Sequence, residues 1–275
     1  MTQQILDRGE RQDVAASWRI APLVLFVASG VAIFAFEARI AGYAVLVASL
    51  ILAFLIDRSL FRDQLLVGLG VVTMSLVPIT TDISWDHMLI MGSAMIVAVG
   101  APYAISRWVF RDHAVRFPVL TGKRWGRPEW LYLGLVIVLG YLILPWYMIH
   151  SGVYQNWPDA SSASEVGRLF LGTNALGIWD ELFFICTAFA LFRRHVPFWL
   201  ANLLQAALFT SFLWELGFHA WGPLLIYPFA LLQGYTFRLT KSLSYIVAVH
   251  LLFDFVLFLV LIHAHNREWF AIFLY

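Results

Sequence analysis

From residue 20 to residue 263 the chain runs through one apolar stretch after another, with short polar turns between them. A helix that crosses a bilayer needs roughly 20 mostly apolar residues. Candidate stretches lie at about 20–36, 40–56, 64–80, 88–106, 130–149, 166–192, 198–217, 223–238 and 243–263, the eighth being marginal as a full crossing. Of the 275 residues 61% are hydrophobic and 13% charged, a balance that no water-soluble globule of this length could bury. Disorder is excluded on the same ground. A formal net charge of +1 leaves no electrostatic footprint for nucleic acid. The single Cys186 excludes a disulfide framework and a cysteine-based zinc cluster. The chain therefore reads as all-α, a polytopic membrane helical bundle of about 8–9 transmembrane helices whose first partner is the lipid bilayer.

Loop charge sets the expected orientation, because Lys and Arg favour the cytoplasmic side. Arg8, Arg11 and Arg19 precede the first stretch, and Arg58 and Arg62 follow the second. Arg107, Arg111, Arg116, Lys123, Arg124 and Arg127 follow the fourth, Arg193 and Arg194 the sixth, and Arg238 and Lys241 the eighth. The loops from Thr80 to His87 and from His150 to Glu165 hold no Lys or Arg. The expectation is a cytoplasmic N-terminus, with Met1 to Trp18 a retained tail rather than a cleaved signal. Residues 1–128 would hold N-terminal transmembrane helices and a basic cytoplasmic loop. Residues 129–275 would form the core that carries a site, because nearly all the intramembrane acids and imidazoles fall there.

An ionisable residue within hydrocarbon costs at least about 2.5 kcal/mol, so it persists where it pairs, lines a wet cavity or performs chemistry. Three clusters qualify. Asp180 and Glu181 stand side by side in GIWDELFFIC; about 100° apart around an α-helix, at most one of them should point squarely into a site. Glu215 and His219 in FLWELGFHAWG share a helix face at i, i+4, with a wetted interfacial histidine as the plainer reading. His250 and Asp254 in VAVHLLFDF repeat that spacing, and a simple helix-to-helix tie is the plainer reading there. Asn202 and Gln205 read as a helix contact, and His263 with His265 matches a metal pair by spacing alone. Helical rise puts Glu181 about 18 Å above Arg193 and His250 about 13 Å above Lys241, but His219 roughly 33 Å above Pro197. A site shared by all three clusters requires the seventh helix to start in the interface, tilt steeply or bend.

The order of these clusters resembles the CAAX prenyl protease and bacteriocin-processing family, the CPBP or Abi intramembrane proteases. That family carries two adjacent Glu followed by an Arg, then Phe-x-x-x-His, then His-x-x-x-Asn or Asp. DELFFIC at 180–186 resembles the first motif, ELGFH at 215–219 the second and HLLFD at 250–254 the third, with the turn TKSLS at 240–244 leading into the last. The resemblance covers about residues 166–260. Asp180 replaces the first Glu, Ile185 stands at the Arg position, and Glu215 stands at the Phe position.

The resemblance implies hydrolysis of a membrane-embedded or lipid-modified peptide or protein by an activated water, with no cofactor required. Asp180 or Glu181 with His219 would be the base. His250 with Asp254 would stabilise the oxyanion, Asp254 directly only when protonated. Glu215 would be an additional acid of the site. A bacterial cytoplasmic membrane is the implied home. Two other readings stand beside the peptidase. Glu181, Glu215, His219 and His250 could hold a divalent metal in a metal-dependent membrane enzyme. A catalytically degenerate chain would be a membrane adaptor or a carrier.

Overall fold

The computed structural model describes residues 2–119, 121, 122 and 124–274, with side chains from Trp18 onward. Lys123 and the side chains of Arg8 and Arg11, counted among the loop cations above, lie outside the described set. Among the described residues there is no strand, and the helices are α1 Thr2–Phe34, α2 Arg39–Ile56, α3 Arg58–Ser75, α4 Trp85–Val109, α5 Arg127–His150, α6 Ala163–Phe192, α7 Phe198–Leu216, α8 Gly222–Thr240 and α9 Leu243–His265.

Local chemistry places the helix ends. The Asp57, Ser84, Ser162 and Ser242 side chains accept backbone N–H groups at the starts of α3, α4, α6 and α9. Ser162 and Glu165 form a reciprocal capping box. Gly217, at φ 118°, stops α7 in a backbone conformation that L side chains rarely adopt. The Asp57 cap starts α3 at Arg58, ahead of the expected 64–80, so this helix carries Arg58, Arg62 and Asp63 in its first turns.

Each expected stretch overlaps a helix, but among the described residues only α2, α4, α5, α6 and α9 are long and apolar enough to cross a membrane by length and composition. The apolar part of α1 is the shorter run Trp18–Phe34. Polar side chains lower the apolarity of α3 and α7, in α7 Asn202, Gln205 and Glu215. In the fold Asn202 and Gln205 tie α7 to α8. Gln205 Nε2 donates to Asn202 Oδ1 at 3.0 Å and to the Ala230 carbonyl at 2.9 Å, and Asn202 Nδ2 donates to the Leu231 carbonyl at 2.9 Å.

α6 is the central helix. In its membrane-length window 72% of residues are buried, against 22% in α2, which faces outward. α6 packs against α3, α4, α7, α8 and α9, while α9 also packs on α5 and α1 packs on α2 and α7. Trp179 and Phe183 stack at 5.1 Å, and Trp179, Phe184 and Phe212 continue the aromatic core. One contiguous apolar core reaches from Leu23 to Phe273, so the segments 1–128 and 129–275 share it.

Polar contacts reinforce that junction. The Trp179 indole N–H donates to the Met95 carbonyl at 2.9 Å, and Arg168 Nε donates to the Ile83 carbonyl at 2.8 Å. At the α6–α7 turn, Arg194 Nη1 donates to Asp63 Oδ1 at 2.8 Å, and His195 Nε2 lies 2.6 Å from Asp63 Oδ2. Arg194 also reaches Asp112 Oδ2 at 3.3 Å, while Asp112 Oδ1 accepts from Ser106 Oγ at 2.7 Å. Partial burial pushes the Asp112 carboxyl up, but hydrogen bonds from Ser106, the Ala114 N–H and Arg194 outweigh it and hold the group below its ordinary value.

Asp63 is buried between both cations' side chains, and its removal strands His195. Asp63→Ala should destabilise the fold by about 3 kcal/mol, at the low end for a broken buried pair because Arg194 keeps access to water. Thermal unfolding in detergent measures this, with Asp112→Ala, at a wetter pair, costing under about 1 kcal/mol. The Asp112 contribution is complete above the ordinary carboxylate value and is lost as pH falls through the depressed one. Asp112→Asn should flatten that part of the acid dependence.

Candidate functional site

α6 and α9 bring the first and third clusters together. His250 Nδ1 lies 2.7 Å from Glu181 Oε1, and its Nε2 lies 3.8 Å from both Asp180 Oδ2 and Asp254 Oδ1. Both adjacent acids therefore face the same imidazole, contrary to the expectation that at most one could. The imidazole spans the angle between them by offering each a different nitrogen, and the helix changes register at the same point. α6 is α-helical through Asp180 and takes π-type hydrogen bonding over Glu181–Phe189. His250 then meets one acid with each ring nitrogen. Such π segments recur at functional sites.

The four residues are buried, each 6% exposed or less. Phe209 and Phe229 stand edge-on to the imidazole at 6.1 and 5.2 Å. A fifth polar group, Gln233 of α8, completes the cluster. Its Nε2 donates to Glu181 Oε1 at 2.6 Å and to the Ile246 carbonyl at 3.1 Å. Sequence reasoning missed it, although a lone amide in the apolar run LLQGY was the available signal. The close approach of α6 and α9 depends on Gly177, where an added Cβ would stand 1.9 Å from Asp254 Oδ2.

Asp180, His250 and Asp254 line a cavity of ≈ 30 Å³ walled by Phe209, Leu213, Phe229, Phe253 and other apolar groups. That volume holds a water, and the buried oxygens Asp180 Oδ1 and Asp254 Oδ2 have no hydrogen-bond partner from the protein. Trp157, Thr173 and Leu176 line this cavity and also an apolar groove of ≈ 550 Å³ between α4 and α6, lined by Met88, Met91, Met95 and Trp179.

The second cluster stands elsewhere. Glu215 pairs with Arg39 across 3.3 Å at the far end of α7. His219 lies in the exposed turn after Gly217, 3.4 Å from Asn156 Nδ2 through its Nδ1. The helix geometry explains this. Glu181 lies twelve residues before Arg193, and twelve residues after Pro197 is Phe209, so Phe209 is level with the acids on an unbroken α7. α7 thus offers the cavity Phe209 and Leu213, four residues apart. On this face an aliphatic side chain stands where a Phe-x-x-x-His pattern would set its imidazole.

Of the four residues expected to share a metal, Glu181 meets His250, whereas Glu215 meets Arg39 and His219 meets Asn156. Among the described residues no group of three or more His, Cys, Asp or Glu is placed to hold a metal ion. His263 and His265 turn to different backbone carbonyls, those of Phe270 and Tyr154.

Residues 162–256 match the family model described as Rce1-like, type II CAAX prenyl endopeptidase. The matched segment runs from the cap of α6 through Asp254 and holds the whole acid–imidazole cluster, in agreement with the sequence resemblance. No curated protein and no solved structure matches the chain.

Gly177→Ala forces Asp254 and His250 aside, because the new methyl overlaps a carboxylate on a packed helix. The expected loss is about 1–3 kcal/mol in thermal unfolding. Gly172→Ala, where an added Cβ meets nothing within 4 Å, should leave stability unchanged or slightly raised and serves as the control.

Proposed function

We propose that this integral membrane protein is an intramembrane endopeptidase of the CAAX-protease type, cutting a membrane-embedded or lipid-modified peptide or protein. The observation that carries the reading is the convergence of Asp180, Glu181, His250 and Asp254 on one small cavity in an otherwise apolar interior. Acids, an amide and an imidazole are held there by α6, α8 and α9 together.

The chemistry follows from the contacts. With Glu181 accepting the His250 Nδ1–H, the form of the ring that can act as a base is the neutral tautomer with its lone pair on Nε2. The 3.8 Å from Nε2 to Asp180 and to Asp254 is too long for a direct hydrogen bond and suits a bridging water. His250, with Asp180, takes a proton from that water as its oxygen attacks the substrate carbonyl carbon. Asp254, in its acid form, donates a hydrogen bond to the oxyanion. The C–N bond then breaks, the amide nitrogen leaves with the proton taken from water, and the cluster returns to its starting state. Three carboxylates around one imidazole titrate as a set. Base duty, which the sequence reading shared with His219, rests here on His250 and its acids.

The ≈ 550 Å³ groove gives an apolar segment of the substrate a place beside the cavity, since the two share Trp157, Thr173 and Leu176. The reading retains a cytoplasmic N-terminus and a bacterial cytoplasmic membrane. A second reading, a silent membrane adaptor on the same core, is favoured by Ile185, apolar where the family's first motif carries Arg, and by His219, which stands away from the cavity.

Turnover of a fluorogenic lipid-modified peptide by the purified protein in vesicles decides between them. For the peptidase, Asp180→Asn, Glu181→Gln and His250→Ala should each lower kcat/KM by at least about 100-fold, with His219→Ala close to wild type. A wild-type rate no higher than that of the three variants would sink the peptidase in favour of the adaptor. A rate abolished by chelation and restored by a divalent ion would instead return the metal-dependent reading.

A further inference from the structure

The cytoplasm-facing end of α4, in the orientation read above, carries a second polar construction that the acid–imidazole site does not use. A pocket of ≈ 350 Å³ is lined by Tyr103, Arg107, His113, Val115, Arg116 and Phe117. Two guanidinium groups and an imidazole meet there, and among the described residues no carboxylate lines the space. Arg107 Nη1 lies 3.3 Å from His113 Nδ1. Arg116 Nε donates to the His113 carbonyl at 2.7 Å, which fixes that guanidinium and leaves its terminal nitrogens for another acceptor. Tyr103 and Phe117 stack at 5.4 Å and form an apolar wall.

The turn sorts its charges by direction. Asp112 sits between Arg111 and His113 in sequence, but its carboxylate is held by Ser106, the Ala114 N–H and Arg194, so it belongs to the α6–α7 turn. Arg111 and His113 flank it with φ of 56° and 51°, left-handed conformations that non-glycine residues rarely adopt. Ser106 Oγ accepts the N–H groups of Ala114 and Val115 and pins the loop in that form. Backbone strain held in place in this way gathers where side chains are aimed at a ligand. Trp108 and Val109, 66% and 68% exposed, mark the place where membrane-length α4 leaves the hydrocarbon.

We propose that this pocket binds a phosphate-bearing anion at the bilayer surface, the headgroup of an anionic phospholipid. The planar Arg fork matches phosphate oxygens, and two guanidiniums lining one pocket suit an anionic group between them. Basic pockets at this depth bind lipid headgroups in just this way. The apolar wall of Tyr103, Val115 and Phe117 sits where the glycerol carbons would lie. A free phosphate offers the same oxygens without the glycerol and chains.

The full chain, purified in a neutral detergent, is titrated with dioleoylphosphatidylglycerol and with dioleoylphosphatidylcholine, and retained lipid is counted by native mass spectrometry. The expected result is at least about tenfold tighter retention of phosphatidylglycerol, lost in the double variant Arg107→Gln/Arg116→Gln. Arg58→Gln/Arg193→Gln removes the same charge from the same side of the protein and should keep the preference. Arg116→Lys preserves charge but not the fork, and should weaken retention even if the double variant fails to fold. Inorganic phosphate that displaces the lipid at equal concentration assigns the site to a free anion; failure to displace it assigns the site to the headgroup. No preference for phosphatidylglycerol, or equal loss in both double variants, overturns the proposal.

Discussion

His250 is held on one ring nitrogen by Glu181 while the other faces Asp180 and Asp254, and the interior of the bundle is arranged around that contact. Three acids and an imidazole are costly among apolar helices unless each is given a partner or a wet space. Gln233 secures Glu181 from α8, Gly177 lets α9 come close enough for Asp254, and the two nitrogens of one ring take up two consecutive acids of α6. Any of these alone would be a local irregularity. Together they describe a helix core bent away from its simplest packing to serve one cluster.

The surrounding helices divide the remaining work. α6 supplies acids and aromatic core and is enclosed by its neighbours, whereas α2 presents its side chains outward. The groove between α4 and α6 meets the cavity at Trp157, which comes from the loop before α6 rather than from a helix. Loops move more readily than packed helices, so communication between groove and cavity is governed by the least constrained of its shared walls.

Much of this was legible in the sequence. The apolar stretches located the helices, because a run of hydrophobic residues as long as a bilayer is thick is rare outside a membrane. Asp180, Glu181, His250 and Asp254 stood out because charges in such helices are rare. The rise per residue already set His219 well apart from them, and the straight course of α7 turned that arithmetic into separation. The register change at Glu181 has no signal in helical periodicity, so the reach of both acids could not be read. Gln233 was hidden because an amide costs less in a helix than a charge and draws less notice. Asp63 was hidden for a different reason. Its partners lie 131 and 132 residues away, and at a helix end Arg194 reads as an ordinary loop cation.

That long separation has a bearing on assembly. Chains emerge N-terminus first, so Asp63 is made well before Arg194 and His195 exist to neutralise it. Until they arrive, this acid lacks the two partners that hold it when buried. The early helices thus form an unfinished cradle, completed by the same segment that delivers the acids of the core.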